Sequence, residues 1–137
     1  MIVNSVTEMT IMEILDRGVP NKECIGIRIN QRVNLGQYGI MLGRYAHSKM
    51  AIPIQDHLFW FGDGLVDEGD WIFIGTGEGT PKISATLDQL RKIYTVFWNK
   101  PNTVFANTNI VPLLFRIDAV DVLEPVEDKP QTKRLTG

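Results

Sequence analysis

Asp63, Asp67, Glu68 and Asp70 put four carboxylates into one short connection. Calcium takes six to eight oxygen ligands, and acidic side chains so spaced can present several to one ion. Asp63-Gly64-Leu65-Val66-Asp67 lacks the alternating ligands of an EF-hand, so the same residues also read as a solvated turn. That second reading needs no cofactor. Asp56-His57 is the next candidate, because imidazole titrates near neutrality and a carboxylate can orient it. Neighbours on a strand point to opposite faces, so in an extended segment the two side chains diverge. Together with the 63–70 carboxylates this pair defines an alternative function, a small hydrolase or a metal- or ligand-binding enzyme. No Gly-x-Ser-x-Gly elbow supplies a nucleophile. With only His47 and His57 in the chain, a histidine metal site would need carboxylates to complete it.

Gly75 to Lys82 carries glycines at 75, 77 and 79, the look of a phosphate loop. Such a loop opens a helix, so that backbone N–H groups meet the anion. Pro81 interrupts that geometry, the Gly-Lys-Ser/Thr ending is missing, and Glu78 repels phosphate. The segment reads as a flexible hairpin end. A non-catalytic reading instead uses the aromatics. In His57–Phe61, Phe59 and Phe61 share one face and Trp60 points the other way. If the phenylalanines fill the core, Trp60 is left over for a partner, and Trp98 with it, while Glu78 and Lys82 offer charges on the neighbouring excursion. Coplanar exposed tryptophans would instead mark a carbohydrate site. The bland alternative packs both rings beneath loops.

The elements that must position these residues read as strands. Ile25, Ile27 and Ile29 alternate with Gly26, Arg28 and Asn30, the period of a strand with one wet face. Met9–Leu15 reads as a strand by its β-branched and apolar residues, while the capping-box spacings Ser5–Glu8 and Thr10–Glu13 and a C′ glycine at Gly18 suit a helix. Tyr38–Leu42, Trp71–Thr76, Ile93–Trp98 and Leu113–Val122 read as strands, and Thr103–Ala106 is placed to pair across the Asn99–Asn102 turn. Arg44–Met50 reads as a polar surface connection. Pro53 keeps the following residues extended and away from a central ladder position, and Pro112 fits only the start of the strand Leu113–Val122. Residues 77–92 interrupt the pattern, and Ser84 to Lys92 suits two turns of helix capped by Ser84 or a loop. About eight short strands with at most one or two short helices predict an all-β antiparallel sandwich. The expected layout is a lead-in over 1–8, the sandwich over 9–123 and a weakly packed tail over 124–137.

Composition narrows the class. The chain of 137 residues fits one domain able to bury roughly two-thirds of its unfolded surface. A net charge of −2 argues against nucleic acid and anionic membrane as general partners. No window approaches the ~20 apolar residues of a membrane span. Met1 to Glu8 has no basic or long apolar run, so no signal peptide is expected. The one cysteine, Cys24, forms no internal disulfide and points to a reducing, cytoplasmic compartment where it serves as a small buried hydrophobe.

The order Ile11-Met12-Glu13-Ile14-Leu15, Asn21-Lys22-Glu23, Ile25–Asn30, then Val33-Asn34-Leu35 into Tyr38–Leu42 resembles the opening of lamin-tail-like domains. Phe59-Trp60-Phe61, Asp67-Glu68-Gly69 and Asp70–Ile74 resemble a later strand, turn and strand of the same domains. The likeness covers roughly residues 9 to 123. It departs from the family in the bulky Trp60 and Trp98 strands and in the charged tail. The chain is also similar to a group of small bacterial proteins sharing Val33–Gly36, Phe59–Gly62, Gly69–Phe73 and Phe115–Val120. The resemblance implies an immunoglobulin-like sandwich used as an interaction module, with a protein partner or a second copy as its target.

Overall fold

The alternation of Ile25, Ile27 and Ile29 becomes strand β2 (Cys24–Ile29), with those three side chains at most 1% exposed. Its neighbours are β1 (Met9–Leu15) and β7 (Trp71–Gly75), both antiparallel, with Ile25 opposite Ile74 and Ile27 opposite Ile72. The coordinates are a computed structural model that describes residues 5–48, 50–131 and 133. Expectations for residues 1–4, Lys49, Thr132 and 134–137 lie outside the described residues.

β8 (Lys82–Ala85) and β9 (Lys92–Phe97) complete a five-stranded sheet in the order β1-β2-β7-β9-β8. β9 runs parallel to β7 and antiparallel to β8. The chain leaves β7, returns as β8 on the outside, and turns back so that β9 lies between them. One pair is therefore parallel in an otherwise antiparallel arrangement.

The second sheet is β10-β4-β5, built from β4 (Tyr38–His47), β5 (Met50–Trp60) and β10 (Ile110–Arg116). Both its prolines, Pro53 and Pro112, sit on edge strands, where a missing N–H costs no central ladder bond. A two-stranded pair, β3 (Val33–Asn34) with β6 (Leu65–Val66), flanks a turn of 3-10 helix over Leu35–Gln37. The Asn34 side chain caps that turn by accepting from the Gly36 N–H at 2.8 Å.

Between the sheets lies one core: the β2 and β7 isoleucines from one side, Tyr38, Ile40 and Leu42 from the other, with Met9, Val66 and Phe105 closing it. The result is an all-β, sandwich-like fold with ten strands and no α-helix among the described residues.

Four local expectations are corrected. Arg44–Met50 is a hairpin tip rather than a connection, because β4 continues to His47 and β5 begins at Met50. From Arg44 onward β4 overhangs the core, and polar residues suit an exposed ladder as well as a loop. Ser84 to Lys92 is not helical: β8 takes Lys82–Ala85, and Asp88 Oδ1 accepts from the Leu90 N–H at 3.0 Å in the turn that follows. Thr103–Ala106 forms no strand, since the Val104 and Phe105 N–H groups bond a carboxylate instead of a ladder. β10 spans Ile110–Arg116, earlier than Leu113–Val122.

Candidate functional site

On β4, Tyr38, Ile40 and Leu42 point inward, so Gly39, Met41 and Gly43 face outward. Residues directly opposite in neighbouring strands share a face. Hence the outer surface has three rows: Trp60–Gly39–Phe115, Leu58–Met41–Leu113 and Pro53–Gly43–Val111. Every member is apolar. A Cβ on Gly39 would lie 2.5 Å from Phe115 Cζ, and one on Gly43 would lie 2.6 Å from Leu113 Cδ1. The two glycines thus provide seats over which the β10 side chains lie. Trp60 stands 6.1 Å from the Phe115 ring, and it and Leu58 remain 43% and 54% exposed. Scattered apolar residues on a surface are ordinary, but three cross-strand rows without a polar side chain, interrupted on β5 by the bulge that carries exposed Gln55 and Asp56, form a patch of the kind that marks an interaction site.

The other residues singled out in the sequence are dispersed. Phe59 and Phe61 do pack inward, 6.1 Å apart, and Trp98 joins them 5.7 Å from Phe59. Trp98 is therefore half-buried on the inner side while Trp60 faces out, and the two rings form no common platform. Glu78 and Lys82 are exposed on the β7–β8 connection and at the start of β8, in the other sheet.

Of the acidic group, Asp70 is buried and spends one oxygen on the Asp67 N–H and the other on the Lys92 N–H, each at 2.9 Å. It braces the turn into β7 against β9. Asp67 pairs with Arg32 at 3.6 Å, but both side chains are about two-thirds exposed (64% and 67%), which leaves the pair little worth. Asp63 and Glu68 are exposed. Among the described residues no three His, Cys, Asp or Glu side chains group as a metal site.

Asp56 and His57 do not form a dyad. Asp56 has φ +63° inside a wide bulge, where Ile54 to His57 stand opposite Leu42 alone. The bulge turns His57 toward Lys100, whose Nζ lies 2.7 Å from His57 Nδ1. With the lysine charged, its N–H donates and Nδ1 accepts, so the ring proton sits on Nε2. Lys100 Nζ also lies 4.9 Å from the centre of the Trp98 ring, a cation–π contact. Burial pushes the Lys100 ammonium below its ordinary pKa.

Two buried carboxylates brace the opposite ends of β2, Glu23 beside Cys24 and Glu8 beside Asn30. Glu23 is 1% exposed. Its Oε1 accepts from the Val104 N–H at 2.6 Å and the Thr76 hydroxyl at 2.8 Å. Its Oε2 accepts from the Gly18 and Phe105 N–H groups, both at 2.9 Å. Burial pushes the carboxyl up, but these four donors outweigh it and hold the group below the ordinary carboxylate range. Glu8 is the second. It accepts from the Tyr38 hydroxyl at 2.6 Å and from Arg116 at 2.9 Å. The Tyr38 bond is the largest cause that lowers its pKa to about 2, against the opposing effect of burial. Cys24 is pushed the other way, up to about 11, by burial and then by Asp16, so its thiol is a poor nucleophile.

Comparison with protein-family models, with curated proteins and with solved structures gives no match.

Proposed function

We propose that this chain is a non-catalytic interaction module that binds protein through the outer face of the β10-β4-β5 sheet, with a second copy of itself as the first partner to test. The observation that carries this reading is the face itself: three cross-strand rows without a polar side chain, ending in exposed Leu58 and Trp60. Cores of protein interfaces are enriched in aromatic residues and methionine and depleted in charge, which is the composition of these rows. Two such sheets stack face to face at ~10 Å, and a two-fold axis would set each Trp60 against its partner's face. The resemblance to immunoglobulin-like, lamin-tail-like domains leans the same way. A reducing compartment such as the cytoplasm suits the unreactive Cys24 thiol.

Light scattering across a concentration series tests this. A mass that rises toward the dimer, and that returns to the monomer in Trp60→Asp and Leu58→Asp with an unchanged melting temperature, is the expected outcome. A wild-type chain that stays monomeric up to ~1 mM, the weak limit of useful affinity, would remove self-association. Association that survives both aspartates would move the interface elsewhere.

A further inference from the structure

Beside the Lys100–Thr103 turn lies a groove of about 250 Å³, on the inner side of the bulge in β5 and away from the outer apolar face. Leu42, Ile54, Val104 and Ile110 form its apolar walls, and His57 with Lys100 forms its polar end. Its size falls just below the ~300–1,000 Å³ of drug-sized ligand sites, which suits a small molecule and is too little for a nucleotide.

The chemistry at the polar end selects the ligand. A lysine ammonium has three N–H donors. One is spent on His57 Nδ1 and the ammonium rests over the Trp98 ring, yet no carboxylate among the described residues lies within ion-pair distance of it. A partly buried cation without a counter-ion is costly, and an arriving anion removes that cost. One ammonium against four aliphatic walls fits a monoanion with an apolar body; a phosphate would ask for several further donors.

The frame is rigid before any ligand arrives. Lys100 N–H donates to Thr76 O at 2.8 Å and Asn99 N–H to Gly77 O at 3.0 Å, which ties the turn to the end of β7. From beneath, the Glu23 carboxylate holds the Val104 and Phe105 N–H groups. Such preorganisation lowers the cost of binding. A second depression of about 210 Å³ shares Lys100 to Thr103 with this groove, but its other walls are Pro20, Asn21, Thr76 and Gly77, with no aliphatic side chain to match Leu42, Ile54, Val104 and Ile110.

We infer that this groove binds a small aliphatic monocarboxylate, its carboxylate on the Lys100 ammonium and its hydrocarbon between Leu42, Ile54, Val104 and Ile110. The probe is 4-methylpentanoate, titrated to ~20 mM into the isotopically labelled full chain and followed by two-dimensional NMR. Saturable shifts of the Lys100 to Val104 amides and of the Leu42, Ile54 and Ile110 methyls are expected. Binding should weaken at least about tenfold for 4-methylpentanamide, which keeps the shape without the charge, and for acetate, which keeps the charge without the body. Lys100→Met should lose about tenfold or more with an unchanged melting temperature, and Lys100→Arg should retain binding. The inference is overturned by equal binding of the amide, by equal binding to a folded Lys100→Met chain, or by no saturation. If Lys100→Met does not fold, the acid and amide comparison on the wild-type chain decides alone.

Discussion

Replacing Glu23 by glutamine changes one oxygen to an NH2 and removes one charge at a site that is 1% exposed. Each carboxylate oxygen accepts two bonds, so the orientation of the amide matters. With the NH2 in place of Oε2, both the Gly18 and the Phe105 N–H groups lose their acceptor. With it in place of Oε1, the Thr76 hydroxyl can rotate and accept, and only the Val104 N–H is orphaned. The second orientation wins. One buried orphan donor costs ~1–3 kcal/mol, and bonds to a neutral amide are each weaker by ~1 kcal/mol than bonds to a charged group. Relief from burying a charge offsets part of this, leaving a loss of ~2–4 kcal/mol. That is a large share of the ~5–15 kcal/mol by which such domains are stable. At ~4 °C per kcal/mol for a chain of this size, the melting temperature should fall by ~8–16 °C. Urea and thermal unfolding followed by circular dichroism would measure it. A loss below ~1 kcal/mol would refute the account of Glu23 as the anchor of the 103–105 segment. The pH dependence offers a second check. A carboxyl whose folded pKa is depressed stabilises fully above its ordinary range and loses that contribution as pH falls through the folded value. Acid sensitivity from this group should vanish in the glutamine variant.

Glu8, with a folded pKa of about 2 against an ordinary 4.5, follows the same sign: its contribution is complete above pH ~4.5 and is lost as pH falls toward 2. The shift corresponds to at most ~3 kcal/mol, reduced to ~1–2 because the Arg116 side chain is 31% exposed to screening solvent; stability of Glu8→Gln measured from pH 7 to 2 checks this. Asp70→Asn exchanges one acceptor for a donor facing either the Asp67 or the Lys92 N–H, so urea unfolding should show a loss of ~1–3 kcal/mol. Calcium at millimolar concentration should leave the melting curve of the wild-type chain unchanged, because Asp70 is buried on two backbone N–H groups and, among the described residues, no three acidic side chains group around one point. A chain ending after Leu123 should melt within ~2 °C of the full one, since residues 124 to 131 are exposed and outside every strand.

How much of this was readable in advance depends on how far apart the deciding residues are. The β2 alternation, the non-central position of Pro53, and the opposed faces of Phe59 and Trp60 are local patterns, and they hold in the fold, whereas Pro112 lies inside β10 rather than at its start and is tolerated because β10 is an edge strand. The insertion of β9 between β7 and β8 has no local signature, because a strand that pairs parallel on one side looks like any other apolar strand. Glu23 shows the same limit more sharply: the family resemblance picks it out as a polar marker, but its donors include Val104 and Phe105, some eighty residues away, and no local pattern shows that it is buried on them. Lys100 meets His57 across forty-three residues, so adjacency favoured the wrong partner, Asp56. The carboxylates at 63–70 misled in the opposite direction, since acidic residues serve turn backbones as readily as metals.

The order β1-β2-β7-β9-β8 also dictates how the chain must assemble. β1 with β2 and β8 with β9 are neighbours in the sequence and close over short turns, on the microsecond scale of hairpins. β2 and β7 are not: Cys24 meets Gly75 only after the whole of the second sheet but β10 has been spun out between them. Pairing them encloses a long loop whose entropy is lost before its contacts form, the circumstance that slows folding to milliseconds or seconds. The quick hairpins, β4–β5 among them, thus wait on two slow seams, β2–β7 and the still longer β4–β10, and during that wait the isoleucines of β2 and β7 are apolar surface in need of protection from other chains.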